Sequence, residues 1–435
     1  MFLLSIAVIA LQMALMQALA VTRYSHFSYL VISTALLGFG ASGTFIYLLE
    51  KRILARVRFW FTLFFFAFTV SIPLCYLGAQ NLPLDIRYLF HSADQLLLLL
   101  AYVLLILMPF FFGATLIGLM LTYFSKQVQS LYGVNLVGSG IGGIAVLGLM
   151  LLAPGAQLPV YLGGFGFLAY LVWSYGGRSA EGARDGMQRG SRRSRDGVLS
   201  GQGWPPSLAS VTGLVVAAGV TAVWFFITPS IPVSQYKPLY RLQLLESQGD
   251  AEHLATRYGP RAQIDVYQSD VMHQTLFAGI QAEAMPPDQL SLLFDGTVAG
   301  SVFKTEKTEA TRILDFTPQS MAYRLIEQPR VLLLGEADGV NIWLAKRFDP
   351  RSITVVQDNP QLLDMLTGEL AEESGKIFLD PNVELVEQNP RHFLDTTQKS
   401  FDVIQFVGAE AMVSGTQGLH SLHENYMLTV EAFQA

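Results

Sequence analysis

Three groups of residues in this chain have the types and spacing that chemistry needs. Gly38-Phe39-Gly40-Ala41-Ser42-Gly43 and Gly138-Ser139-Gly140-Ile141-Gly142-Gly143 both spell the glycine-rich signature that cradles phosphate on backbone N–H groups. His420 and His423 stand three apart with Glu424 beside the second, a spacing that can place two imidazoles on one metal ion. Four short segments, Gly335–Gly339, Gln357–Pro360, Gln388–Arg391 and Val407–Glu410, follow apolar runs and gather glycine, amide, carboxylate and guanidinium groups. Such loops, beyond the carboxyl ends of strands, are where α/β sheets hold ligands.

Context removes the first two groups. A phosphate loop needs a strand before it and a soluble helix after it, whereas both glycine signatures lie inside long apolar stretches. There, small residues let helix backbones approach, and Gly138 with Gly142 forms a GxxxG packing step. The histidine pair has no third ligand and its order is not His-Glu-x-x-His. Ser421 or Glu424 instead opens a helix over Tyr426–Phe433. The one cysteine, Cys75, excludes an intrachain disulfide and a thiolate metal centre. No metal site is assigned.

The elements that carry these residues divide the chain. It has 435 residues, 51% hydrophobic and 14% charged, too apolar for an ordinary soluble protein. Residues 1–229 hold 13 Lys+Arg against 6 Asp+Glu, and residues 230–435 hold 15 against 28. The acidic second half carries no basic stripe, which excludes nucleic acid as a partner. The first half contains seven apolar stretches, 2–22, 27–49, 59–80, 95–123, 133–153, 158–175 and 208–229, each near the length that crosses a bilayer. Gln12 and Gln17 on the first belong on a face that meets other helices. The lipid bilayer is therefore the first partner.

Lys51, Arg52, Arg56 and Arg58 follow the second stretch, Lys126 the fourth, and six arginines from Arg178 to Arg195 the sixth. These are alternate loops on one side, and basic loops stay in the cytoplasm. The N-terminus is then inside, and the seventh stretch delivers the second half to the extracytoplasmic face of the inner membrane. Residues 176–206, rich in Gly, Ser and Arg, read as a disordered basic loop. A carrier for small cations would show acids within the spans, and none lies in the middle of any stretch.

From Pro232 onward, β-branched runs alternate with helical spacing. Strands are expected at 263–267, 290–294 (ending in the hairpin signal Asp295-Gly296), 330–335, 352–357, 383–387 and 401–407, with helices at 340–348 and 361–374. Strands alternating with helices form a parallel sheet. The domains follow: 1–229 in the membrane, 230–325 a linker with a β-rich part, and 326–435 a Rossmann-like α/β part that stops before its sheet is complete, as in a C-terminally truncated chain.

The strings VLLLGEADG, ITVVQDNPQLL, VELVEQNPRHFL and FDVIQFVGAEA resemble the nucleotide-binding core of the spermidine synthases, a branch of the S-adenosylmethionine methyltransferase fold; LLFDGTVAGSV resembles their upstream hairpin. The helices from Tyr24 onward and LYGVNLVGSGIGG resemble membrane segments fused to such domains. The resemblance implies decarboxylated S-adenosylmethionine or S-adenosylmethionine as cofactor, held by Gly335, Asp338, Gly339, Gln357, Asn389 and Arg391. It also exposes losses: Glu336 and Ala337 replace glycines, Gln357 replaces the ribose-binding acid, Asn389 an Asp beside the adenine, and Val407 the catalytic Asp. Glu410 stands at the second acid, and the family's Tyr-His-Glu segment has no counterpart between Phe303 and Tyr323.

Valine cannot accept a proton, so no catalytic residue is assigned. The reading is a membrane-anchored, catalytically degenerate synthase-like protein that binds a small molecule or a protein partner. An active aminopropyltransferase or methyltransferase is the alternative, and a polyamine carrier a second one; no oligomeric state follows. Reporter fusions at Ala435 test the orientation. Alkaline phosphatase should be active there and green fluorescent protein dark, and the reverse pattern would place the second half in the cytoplasm.

Overall fold

The computed structural model describes residues 1–23, 26–89, 91–188, 219, 231–271, 273–275, 278–279, 282–407, 427 and 429–434. The apolar stretches of the first half form helices α1 (Phe2–Thr22), α2 (His26–Ala55), α3 (Val57–Gln80), α4 (Ala93–Tyr123), α5 (Val128–Leu149) and α6 (Leu158–Gln188). Among the described residues, six helices are long and apolar enough to cross a membrane. The seventh stretch, 208–229, lies outside them except for Gly219. Helix α4 runs unbroken through Pro109, so 95–123 is one span. Residues 176–188, expected as loop, instead continue α6 to Gln188; no proline interrupts the chain between Pro159 and Pro205, and Ala, Glu, Arg and Met favour the helix. The rest of that loop is not among the described residues.

Both glycine signatures sit within helices, α2 and α5. A Cβ on Gly138 would lie 2.8 Å from the Phe2 carbonyl oxygen, and one on Gly142 2.7 Å from that of Ile6. The GxxxG step therefore packs α5 on α1, where Ser5 Oγ donates to Asn135 Oδ1 at 2.8 Å. Gln17 is buried at 1% exposure, as its place on a helix-facing side requires.

The chain divides into two compact units, Met1–Ala18 with Phe27–Pro232, and Leu19–His26 with Val233–Ala435. In the second unit, helix α7 (Pro238–Gln248) precedes an antiparallel sheet in the order β1 (Glu252–Arg257), β2 (Ile264–Gln268), β3 (Gln289–Phe294), β4 (Thr297–Phe303). Asp295 and Gly296 join β3 to β4 with positive φ of 48° and 71°, the geometry of a two-residue hairpin turn. Helix α7 and strand β1 were not expected; β1, EHLATR, is mostly exposed and shows no alternation of apolar residues.

A parallel sheet follows in the order β7 (Val383–Glu387), β6 (Ser352–Gln357), β5 (Arg330–Leu334), β8 (Val403–Phe406). Both faces of its central strands are covered, which is why they read as continuous apolar runs. Val331, Leu333, Ile353 and Val355 enter a core shared with the antiparallel sheet, while Leu332, Leu334 and Val356 pack with Phe393 on the other face. Short helices α8 (Ser320–Tyr323), α9 (Val340–Lys346), α10 (Pro360–Thr367), α11 (Pro390–Thr396) and α12 (Val430–Gln434) complete the described elements. Helix α10 ends at Thr367 rather than Ser374 because Gly368 leaves helical geometry, with φ −108° and ψ −100°.

Gly142→Val should lower the thermal stability of the detergent-solubilised protein by about 1–3 kcal/mol, the usual cost of overpacking. Gly140→Val, where a Cβ meets nothing within 4 Å, should leave it unchanged. Equal effects in a melting experiment would contradict the α1–α5 packing.

Candidate functional site

The strand order places a topological switch at β5: the chain leaves it toward β6 on one side, and β8 later pairs on the other. The segment after β5 is therefore where a ligand crevice belongs. Gly335 and Gly339 bracket it with φ of 83° and 81°, left-handed conformations that favour glycine. Close packing also holds them, since a Cβ on Gly335 would lie 3.1 Å from the Val407 carbonyl oxygen, and one on Gly339 3.0 Å from Ile377 and Phe378.

Between those glycines the loop is already filled. Glu336 is fully buried, and its Oε1 accepts from the backbone N–H groups of Gly339 at 2.8 Å and Asp338 at 3.2 Å. Successive N–H groups of this kind form an anion-binding concavity. Here a side chain of the same loop occupies it. Burial and the neighbouring Asp338, which hydrogen-bonds to it, hold the Glu336 carboxyl well above the ordinary carboxylate range. Burial raises the Asp338 carboxyl as well, opposed by the hydrogen bonds that its Oδ2 accepts from Ser301 N–H at 2.9 Å and its Oδ1 from Val340 N–H at 3.0 Å.

Gln357 closes the neighbouring position. Its Nε2 donates to the Glu336 carbonyl at 2.7 Å, and its Oε1 accepts from the N–H groups of Asp358 at 2.9 Å and Asn359 at 3.1 Å. The Gln388 N–H donates to the Gln357 carbonyl at 3.2 Å, which brings the segment after β7 alongside. There Asn389 caps α11, accepting from Arg391 N–H at 3.0 Å and His392 N–H at 3.3 Å, and Arg391 pairs with Asp395 at 3.0 Å. Asn359 caps α10 in the same way, and proline follows each asparagine at the first helical position. Val407 continues β8, its N–H donating to the Leu334 carbonyl at 2.9 Å.

Gly335, Asp338, Gly339, Gln357, Asn389, Arg391 and Val407 thus share the carboxyl edge of the parallel sheet. Glu410, His420, His423 and Glu424 lie outside the described residues. Four contributors escaped sequence reasoning. Gly300 on β4 gives Asp338 its approach, for a Cβ there would fall 2.1 Å from Asp338 Oδ2; a glycine inside a strand is the signal for such a contact. The Tyr323 hydroxyl donates to Gln405 Oε1 at 2.8 Å, and Gln405 Nε2 donates to Asn341 Oδ1 at 2.5 Å. Burial, with Glu336 nearby, pushes the Tyr323 phenol up. This polar chain draws on β8, α8 and α9, and no local pattern announces it.

No family model and no curated protein matches the chain. Solved structures do. Spermidine synthases are what they show. One, in complex with the transition state analogue AdoDATO, is 16% identical over 35% of this chain and 45% of its own, with a TM-score of 0.26. A spermidine synthase from Thermotoga maritima is 15% identical over 35% of this chain and 47% of its own, with a TM-score of 0.26. The chain spans less than half the length of these proteins.

The buried acid predicts a pH dependence. A carboxyl whose folded pKa is raised stabilises the fold fully below its unfolded pKa, and that contribution is lost as pH rises through the folded value. Protection factors across 330–346, corrected for the intrinsic pH dependence of amide exchange, should therefore fall as pH rises through the raised pKa of Glu336. Glu336→Gln, which keeps the acceptor and can donate to Asp338, should flatten that trend and stabilise the loop at pH 8 by about 1–2 kcal/mol. An unchanged pH profile would place the proton elsewhere.

Proposed function

We propose that the chain is a membrane-anchored protein whose spermidine-synthase-like soluble unit serves as a binding or assembly module and transfers no aminopropyl group. The observation that carries this reading is the Glu336 carboxyl seated on the N–H groups of its own glycine loop. The residues present do not fit decarboxylated S-adenosylmethionine or S-adenosylmethionine. The loop N–H groups are taken, Asp338 is engaged by backbone on two elements, and Gln357 offers a neutral amide already bound three times where a ribose diol calls for a charged acceptor. Val407 supplies no base at the end of β8.

The same edge remains suited to a different occupant. Gly335, Asp338, Gly339, Gln357, Asn389 and Arg391 are the residues we assign to its crevice, for a small molecule or a segment of a protein partner. The basic loops of the first half support an extracytoplasmic position for this unit, away from a cytoplasmic pool of cofactor. A binding module so placed is held at the membrane by the six apolar helices.

Calorimetry on the full-length protein in detergent tests the reading. The wild type should give no heat with S-adenosylmethionine or its decarboxylated form at micromolar concentrations. Glu336→Gly combined with Gln357→Glu, which empties the loop and restores a carboxylate, should bind at least tenfold more tightly than the wild type. Micromolar binding by the wild type, or aminopropyl transfer to putrescine, would overturn it.

A further inference from the structure

The first unit contains a cavity of about 370 Å³ walled by apolar side chains, among them Phe2 and Leu4 of α1, Phe65 of α3, Phe124 at the end of α4, and Ala169 and Trp173 of α6. This is the size of a ligand pocket, and its aromatic wall is ordered: Phe65 stacks on Trp173 at 5.7 Å between centroids, and Phe61 lies 4.7 Å from the same ring. A polar molecule would lose its hydration here without compensating hydrogen bonds. Phe2 and Phe124 line the cavity yet stay 38% and 40% exposed, so it opens at the protein surface near the start of α1 and the end of α4.

Charge at the mouth narrows the occupant. Lys126 follows Phe124 by two residues and is exposed. Lys51 and Arg52 near the end of α2, and Arg56 between α2 and α3, are also exposed; Arg56 lies about 13 Å along the α3 axis from Phe65 at about 1.5 Å per residue. Helices that alternate in direction bring the end of α2, the start of α3 and the end of α4 to one end of the bundle. Apolar volume beside clustered basic residues is the pattern that receives an acyl chain and its phosphate headgroup.

We propose that this cavity binds one acyl chain of an anionic phospholipid, with the headgroup phosphate held by Lys126, Arg56 and the basic residues at the end of α2. The inference requires the six helices to span a bilayer and is independent of the soluble unit's ligand. Phosphatidylglycerol enters from the leaflet on the basic side, and its tail fills the space between α1, α3, α4 and α6.

Native mass spectrometry of the full-length protein, delipidated and then given phosphatidylglycerol or phosphatidylcholine with identical acyl chains, tests this. One phosphatidylglycerol should be retained at least fivefold more than phosphatidylcholine. Ala169→Trp, which fills the cavity, should abolish retention of both. The exposed pair Arg56→Glu and Lys126→Glu, which leaves the packed interior untouched, should erase the preference even if the tryptophan variant fails to fold. Equal retention of the two lipids by the wild type, no retained lipid, or a preference that survives the charge reversal would overturn the proposal.

Discussion

A carboxyl group buried against backbone N–H groups organises the carboxyl edge of the parallel sheet. Glu336 holds Gly339 and Asp338 in place, and Asp338 in turn ties the loop to β4 through Ser301. Gln357 fastens the same loop to β6 through the Glu336 carbonyl. Two sheets and the segment after β5 are thereby joined. Glu336 Oε2 is buried with no hydrogen-bond partner in the structure, so the loop is held through the other carboxyl oxygen.

The residues along this edge fit one another. Glu336 lays its own carboxyl group on the N–H groups of the loop. A carboxylate at 357 would then oppose the Glu336 carbonyl, whereas the glutamine amide donates to it at 2.7 Å. Aliphatic Val407 closes the strand end beside Gly335 without adding a charge to a site that already holds two buried carboxyls. These side chains are mutually consistent, as groups that pack together must be.

Much of the fold was legible in the sequence. Strands 352–357 and 383–387 matched to the residue, because continuous β-branched runs bounded by turn residues admit few other readings. Apolar length alone gave the six helices. Elements whose stability comes from distant partners were not legible: β1 is polar and pairs only through β2, and α6 outlasts its apolar stretch. At the site, the glycines and Gln357 could be placed by type and spacing. That Glu336 turns inward depends on the folded path of its own loop, and the Tyr323–Gln405–Asn341 chain spans 82 residues between its first two members. Neither follows from local pattern.

The protonation state of Glu336 is the most direct measure of this account. Infrared spectra of the wild type and of Glu336→Gln at neutral pH should differ by a protonated carboxyl stretch that only the wild type shows. A difference confined to ionised carboxylate bands would mean that the loop holds a charged group, and the raised pKa of Glu336 would be contradicted.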